Sequence, residues 1–258
     1  SKMGILGFSL KSPFSLTTVI VPNGQDRPIF PDEIQYPHIT AMCCCNVMGQ
    51  KMPLFIILPS LKKLPQDLNQ FAETGQAYFA SSPSGWQTRD TFLWFVIIFI
   101  NWLSTFRIQL SKDLRESPAI LIVDGHKSRE CPVAIKMLKD HNIDLFVIPA
   151  HTSHVTQLFY VGIGSSMKYF FSKLFKKEMA NFQPEINNIG QYRFFCIVAS
   201  ISSWDSQTTY KSCRDTAVII GICPCSAEPL ICSIFVKKLP PQLEKIAHEK
   251  EEKKEKTL

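Results

Sequence analysis

Pro118-Ala-Ile-Leu-Ile-Val-Asp-Gly-His-Lys-Ser-Arg129 decides how this chain reads, together with Ile148-Pro-Ala-His-Thr-Ser-His-Val-Thr-Gln-Leu-Phe-Tyr-Val-Gly162 downstream. The apolar run Ile120 to Val123 has the length and character of a buried parallel strand, and Asp124-Gly125 stands where that strand must turn. Carboxylates beyond strand C-termini are where open α/β sheets place their chemistry. A second apolar run, Leu145 to Ile148, repeats the pattern, and its exit loop carries His151, His154 and Gln157 ahead of a helix beginning near Val161. The two loops are expected to meet at one sheet edge.

Working outward, strands are expected near Thr18–Val21, over His38–Val47 and over Met52–Leu58, followed by a loop rich in Leu, Lys and Pro up to Pro65. A helix is expected over Arg89–Phe106 with Thr88 or Asp90 as its cap. Then come strand Ile120–Val123, helix Cys131–Asp140, strand Asp144–Ile148 and helix Ile163–Met179. On that last helix Met167, Phe170, Phe171 and Leu174 recur at helical spacing and should face the core, leaving Lys173, Lys176 and Lys177 outside and Lys168 one turn after the start. A Pro- and Asn-containing linker, Asn181 to Gly190, leads to helices near Tyr192–Trp204 and Thr209–Ile220. The order implies an α/β fold, a mixed sheet flanked by helices with a C-terminal helical extension. Residues 1–180 form the core, 181–236 the extension and 237–258 a Lys/Glu tail.

These residues together resemble the DDE superfamily endonuclease domain of pogo, Tigger and jerky-like transposases, related to the mariner group. In that family a strand ends in Asp-Gly-His, and a later Pro-x-His-Thr-(Ser/Thr)-His-x-x-Gln-Pro-Leu-Asp-Val segment supplies a third carboxylate. His38-Ile-Thr, Gly49, Pro53-Leu-Phe-Ile-Ile-Leu-Pro59, Gly85-Trp-Gln-Thr88 and Gly221-Ile-Cys-Pro224 extend the likeness over roughly residues 15 to 236. The resemblance implies an RNase H-like fold, cleavage assisted by Mg2+ or Mn2+, DNA as partner and a nuclear location. It makes Asp124 the second family acid and puts Tyr160 at the place of the third.

The departures bear on activity. The family's first acid lies on the first strand, yet no Asp or Glu precedes Asp26 here. Either the segment bearing it precedes Ser1, or the strand is Ile5 to Leu10 with the acid replaced; a start without Met reads as a fragment. In-line phosphodiester cleavage uses two divalent cations about 3.5–4 Å apart, and these hard ions need several converging carboxylates. One Asp cannot hold the pair, and a neutral phenol supplies no charge. The resemblance therefore implies a member that has lost strand cleavage. Two alternatives stay open: an active nuclease completed by an upstream Asp with Asp144 or Glu178 as third ligand, and a zinc hydrolase built on Asp124, His126, His151 and His154.

Composition agrees with a folded, intracellular, modestly cationic protein; its charge permits contact with nucleic acid without by itself implying it, so any DNA affinity must come from local patches. Of the net charge of +6, the tail from Lys237 holds seven Lys against five Glu, or +2. His126, Lys127 and Arg129, then His151, His154, Gln157 and Lys168, are the candidate DNA contacts. Each has a plainer reading: Asp124 as a helix cap, the basic residues as a solvated face, the histidines as structural hydrogen bonders. Nine cysteines, three of them adjacent at Cys43 to Cys45, read as reduced core thiols. A zinc cluster of Cys213, Cys223, Cys225 and Cys232 lacks a matching second pair. The apolar run Phe92–Leu103 contains Asn101 and falls short of the roughly 20 residues needed to cross a bilayer, so no membrane is expected as partner. Gly162-Ile-Gly164 lacks the phosphate-loop pattern, and no Gly-x-Ser-x-Gly elbow exists. Oligomeric state and target sequence have no signature.

Overall fold

Two strands without a polar face lie at the middle of the molecule. β2 (Thr40–Asn46) is buried at every position and β3 (Leu54–Pro59) at all but its last, as strands covered on both sides are. The structure is a computed structural model that describes residues 2–9, 38–148, 162–179 and 189–220. Four further strands complete a mixed sheet: β1 (Lys2–Ser9), β4 (Ala77–Ser82), β5 (Ala119–Val123) and β6 (Ile143–Val147), in the order β4-β3-β2-β1-β5-β6. β1, β2 and β3 form an antiparallel meander, β5 runs parallel to β1 and β6 parallel to β5. This is the RNase H-like arrangement, with β4 added parallel to the outer edge of β3.

Helices cover both faces. On one side α2 (Arg89–Ile108) and α4 (Pro132–Asp140) bury Phe92, Phe95, Phe99, Ala134 and Leu138 against Met42, Phe55, Leu121 and Val123. On the other, α1 (Gln66–Glu73), α5 (Gly164–Met179), α6 (Ile189–Gln207) and α7 (Tyr210–Ile219) close over Ala41, Cys43, Leu54 and Ile56. A short α3 (Lys112–Glu116) lies between α2 and β5. Thr88 caps α2 as expected, in a reciprocal capping box with Thr91. α2 is long and apolar enough to cross a membrane by length and composition alone, the only such helix among the described residues, and its phenylalanine face is buried against the sheet.

Several expectations are adjusted. The strand expected at Thr18–Val21 lies outside the described residues, while Lys2–Ser9, overlapping the alternative at Ile5–Leu10, fills the central place between β2 and β5. β6 is an edge strand, not a fully buried one: only Ile143 of its five residues is buried, and Phe146 and Val147 are exposed because no described strand lies beyond them. α1 and β4 arise in a stretch that carried no expected element. On α5, Met167 and Phe171 are buried as expected and Lys173, Lys176 and Lys177 exposed, but Phe175 takes the deep position while Phe170 and Leu174 are half-buried. The helices past the linker share their core with α5 and the sheet: Trp204 on α6 is buried and donates its indole N–H to the Met52 carbonyl at 2.9 Å.

Six described cysteines are free and buried. Burial pushes the Cys43 and Cys44 thiols well up and that of Cys196 to about 12, so these sulfurs are packing groups. Cys213 packs against Cys45 across a 3.9 Å sulfur contact, and its proposed zinc companions lie outside the described residues.

Candidate functional site

Asp124 sits one residue beyond the C-terminus of β5, where Ile148 N–H bonds the Val123 carbonyl at 2.8 Å and draws the exit of β6 alongside. The chain then makes a single 3-10 turn, Lys127–Arg129, capped by His126. The cap fixes the imidazole: its Nδ1 accepts from Ser128 N–H at 3.2 Å and contacts Ser128 Oγ at 2.8 Å. With Nδ1 accepting, the ring proton belongs on Nε2. His126 and Lys127 are exposed.

Arg129 turns the other way. The residue is 3% exposed, and its Nε and Nη2 both donate to Asp124 Oδ1, at 3.1 and 2.8 Å. The guanidinium lies over the Phe92 ring, 4.9 Å from the centroid. Its Nη1 is buried with no hydrogen-bond partner among the described residues. Burial lowers the guanidinium pKa, and the Asp124 charge and hydrogen bonds oppose that shift. Arginine nonetheless stays charged in proteins, so a full positive charge is held in the core by one carboxylate.

The neighbouring strand supplies no further acid. β1 pairs with β5 through Gly4 and Ile122, and two more residues of that register set Leu6 level with Asp124. Lys2–Ser9 contains neither Asp nor Glu. Asp144 pairs with Ile120, four positions before Asp124, which at ~3.3 Å per residue places it about 13 Å away. Glu178 is exposed in the last turn of α5. Among the described residues no group of three or more His, Cys, Asp or Glu could hold a metal ion. The donor set that is described therefore does not fit a two-cation centre, and Asp124 already faces a fixed cation.

Of the other expected site residues, Lys168 is exposed on α5, while His151, His154, Gln157 and Tyr160 lie outside the described residues. The inward turn of Arg129 had no signal in the sequence, because a basic residue in a Gly- and Lys-containing loop reads as solvated. The stacked pair His38 and Trp86, at the same end of the sheet, was also missed as a site.

A family model described as DDE superfamily endonuclease matches residues 37–211. A curated protein, MFS-type transporter clz9 of Cochliobolus lunatus, is 25% identical over 161 residues, covering 61% of this chain. This chain spans 17% of that protein's length. Among solved structures, a crystal structure of a pre-cleavage Mos1 transpososome aligns with a TM-score of 0.43 and 9% identity, over 83% of this chain and 54% of that one.

Proposed function

This chain belongs to the DDE superfamily endonucleases, and we propose that it is a transposase-derived nucleic-acid-binding domain whose phosphodiester-cleaving centre has decayed. The observation that carries the reading is the state of Asp124. The acid matching the family's second carboxylate is ion-paired to buried Arg129, and the strand beside it, where the first acid belongs, contains no carboxylate. Cleavage would require two hard cations bridged by several carboxylates. Asp124 instead neutralises a guanidinium, and Tyr160 at the place of the third acid adds no charge.

What remains is a surface for the phosphate backbone. His126 and Lys127 are exposed beside Asp124, and α5 presents Lys168, Lys173, Lys176 and Lys177 to solvent. The family likeness adds His151, His154 and Gln157, which lie outside the described residues, as further proposed DNA contacts. Contacts of this kind are sequence-independent and position the duplex without reading it. By the family likeness, the proposal extends to a nuclear location.

Titration of labelled duplex DNA across a range of salt tests the reading. Log affinity is expected to fall linearly with log salt, and replacing Lys173, Lys176 and Lys177 together by alanine should flatten the slope by about one unit per lysine that meets a phosphate. A flat salt response in the unaltered protein contradicts nucleic-acid binding.

One observation favours a second reading. Both Arg129 bonds fall on Oδ1, so the other Asp124 oxygen is not used by the arginine. An active nuclease could draw on that oxygen if further acids were supplied from elsewhere.

A further inference from the structure

The register of the sheet places a second feature at the edge that carries Asp124. β5 runs parallel to β1, and Ser9 at the end of β1 pairs with Thr40 at the start of β2. Thr40 in turn pairs with Ile57 near the end of β3, and Pro59 with Ser82 at the end of β4. His38, just before β2, and Gly85-Trp86, just after β4, therefore crown the same edge as the Asp124 loop. Strands ~4.8 Å apart and ~3.4 Å per residue put the two on the order of 20 Å apart. That distance is about six stacked nucleotides at ~3.4 Å per step.

The geometry there is that of a backed aromatic face. The His38 and Trp86 rings stack at 3.6 Å with an interplanar angle of 11°, and Trp86 remains 50% exposed. The stack is anchored on both sides. His38 Nε2 lies 3.2 Å from Thr40 Oγ1, which donates to the Gly85 carbonyl at 2.7 Å, and Ser82 Oγ donates to the Trp86 carbonyl at 2.7 Å. Gly85 has φ +76° and is packed so closely that a Cβ would collide with the His38 carbonyl. One face of the indole is thus covered and immobilised, and the rest is held in water; three residues on, at the start of α2, the exposed Arg89 side chain lies 3.7 Å from that of Glu130 next to the Asp124 turn. A rigid, half-exposed aromatic face is what proteins use to hold an unpaired base.

We propose that Trp86, backed by His38, is a stacking platform for one unpaired nucleobase of a nucleic acid lying along the Asp124 edge. The proposal rests on the nucleic-acid-binding reading above. Binding of the full chain to a labelled single strand, a blunt duplex and a duplex with splayed ends tests it, using the unaltered protein, Trp86→Leu and Trp86→Phe. Trp86→Leu should weaken binding to the single strand and the splayed duplex by about tenfold or more, the size of one base stack. Trp86→Phe should retain most of the affinity, and the blunt duplex and the salt slope should be unchanged in both. If Trp86→Leu does not fold, the difference in tryptophan quenching between the unaltered protein and Trp86→Phe on saturation with single strand replaces it. Quenching lost in the phenylalanine variant supports the platform, and equal quenching overturns it.

Binding by the unaltered protein with no loss in Trp86→Leu, or equal loss in both variants, also overturns the platform alone. So does a change in oligomeric state on Trp86→Leu without a change in single-strand affinity. No binding to any of the three probes overturns the nucleic-acid reading itself and the platform with it.

Discussion

Asp124→Ala is expected to lower the stability of the fold by about 3–5 kcal/mol, because it strands a guanidinium that is buried against Phe92 without its counter-charge. The Asp124 side chain keeps 29% of its surface in solvent, which screens the pair and puts the expected cost toward the lower end. In a chain of this size that corresponds to a fall in Tm of roughly 6–15 °C. The sign is informative. Where several acids crowd together to hold metal, each repels the others, and removing one relieves the fold; here the acid is the sole described counter-charge of a buried cation. Asp124→Ala combined with Arg129→Met should recover most of the loss, since an apolar side chain of similar length fills the space without needing a partner. Thermal or denaturant unfolding of the four proteins measures the coupling. A neutral or stabilising Asp124→Ala would show that the ion pair is not formed.

Trp204→Ala is expected to cost about 3–5 kcal/mol, by loss of a fully buried ring and the cavity it leaves. Trp204→Phe keeps most of the volume but leaves the Met52 carbonyl without its indole donor, at about 1–3 kcal/mol. The pair of variants tests whether the C-terminal helices belong to the main cooperative unit. Trp204 packs in the cluster that contains Ile39, Cys43, Leu54 and Ile56 of the central strands. One unfolding transition shifted as a whole in Trp204→Ala agrees with a shared core; a main transition left in place, with a separate early one, contradicts it.

The residues that made the fold legible were those whose local and global signals agree. Ile120 to Val123 followed by Asp124-Gly125 reads as strand and turn from any direction, and Thr88 ahead of a long apolar run is a helix start with a mechanism. Elements with mixed signals were not legible. Ala77–Ser82 is rich in small residues, and its strand character comes from pairing with β3. Lys2–Ser9 carries Gly4 and Gly7, which weaken a strand taken alone, and it is held by neighbours on both sides. Leu145 to Ile148 looked like a central strand because apolar runs say nothing of what lies beyond them, and here it is the sheet's edge.

For the site, the position of Asp124 was legible and its state was not. Arg129 is five residues from Asp124, and only the Phe92 ring on a different helix explains why the guanidinium lies inward. His38 and Trp86 are 48 residues apart in sequence, and the parallel addition of β4 to β3 is what brings them together.

Mn2+ binding to the protein, followed together with nicking of supercoiled DNA in Mg2+ or Mn2+, decides whether Asp124 still serves a metal centre. A decayed centre shows no stoichiometric Mn2+ binding that depends on Asp124, and no nicking above that of Asp124→Asn. Cation-dependent nicking that disappears in Asp124→Asn, with tight Mn2+ binding lost in the same variant, would contradict it.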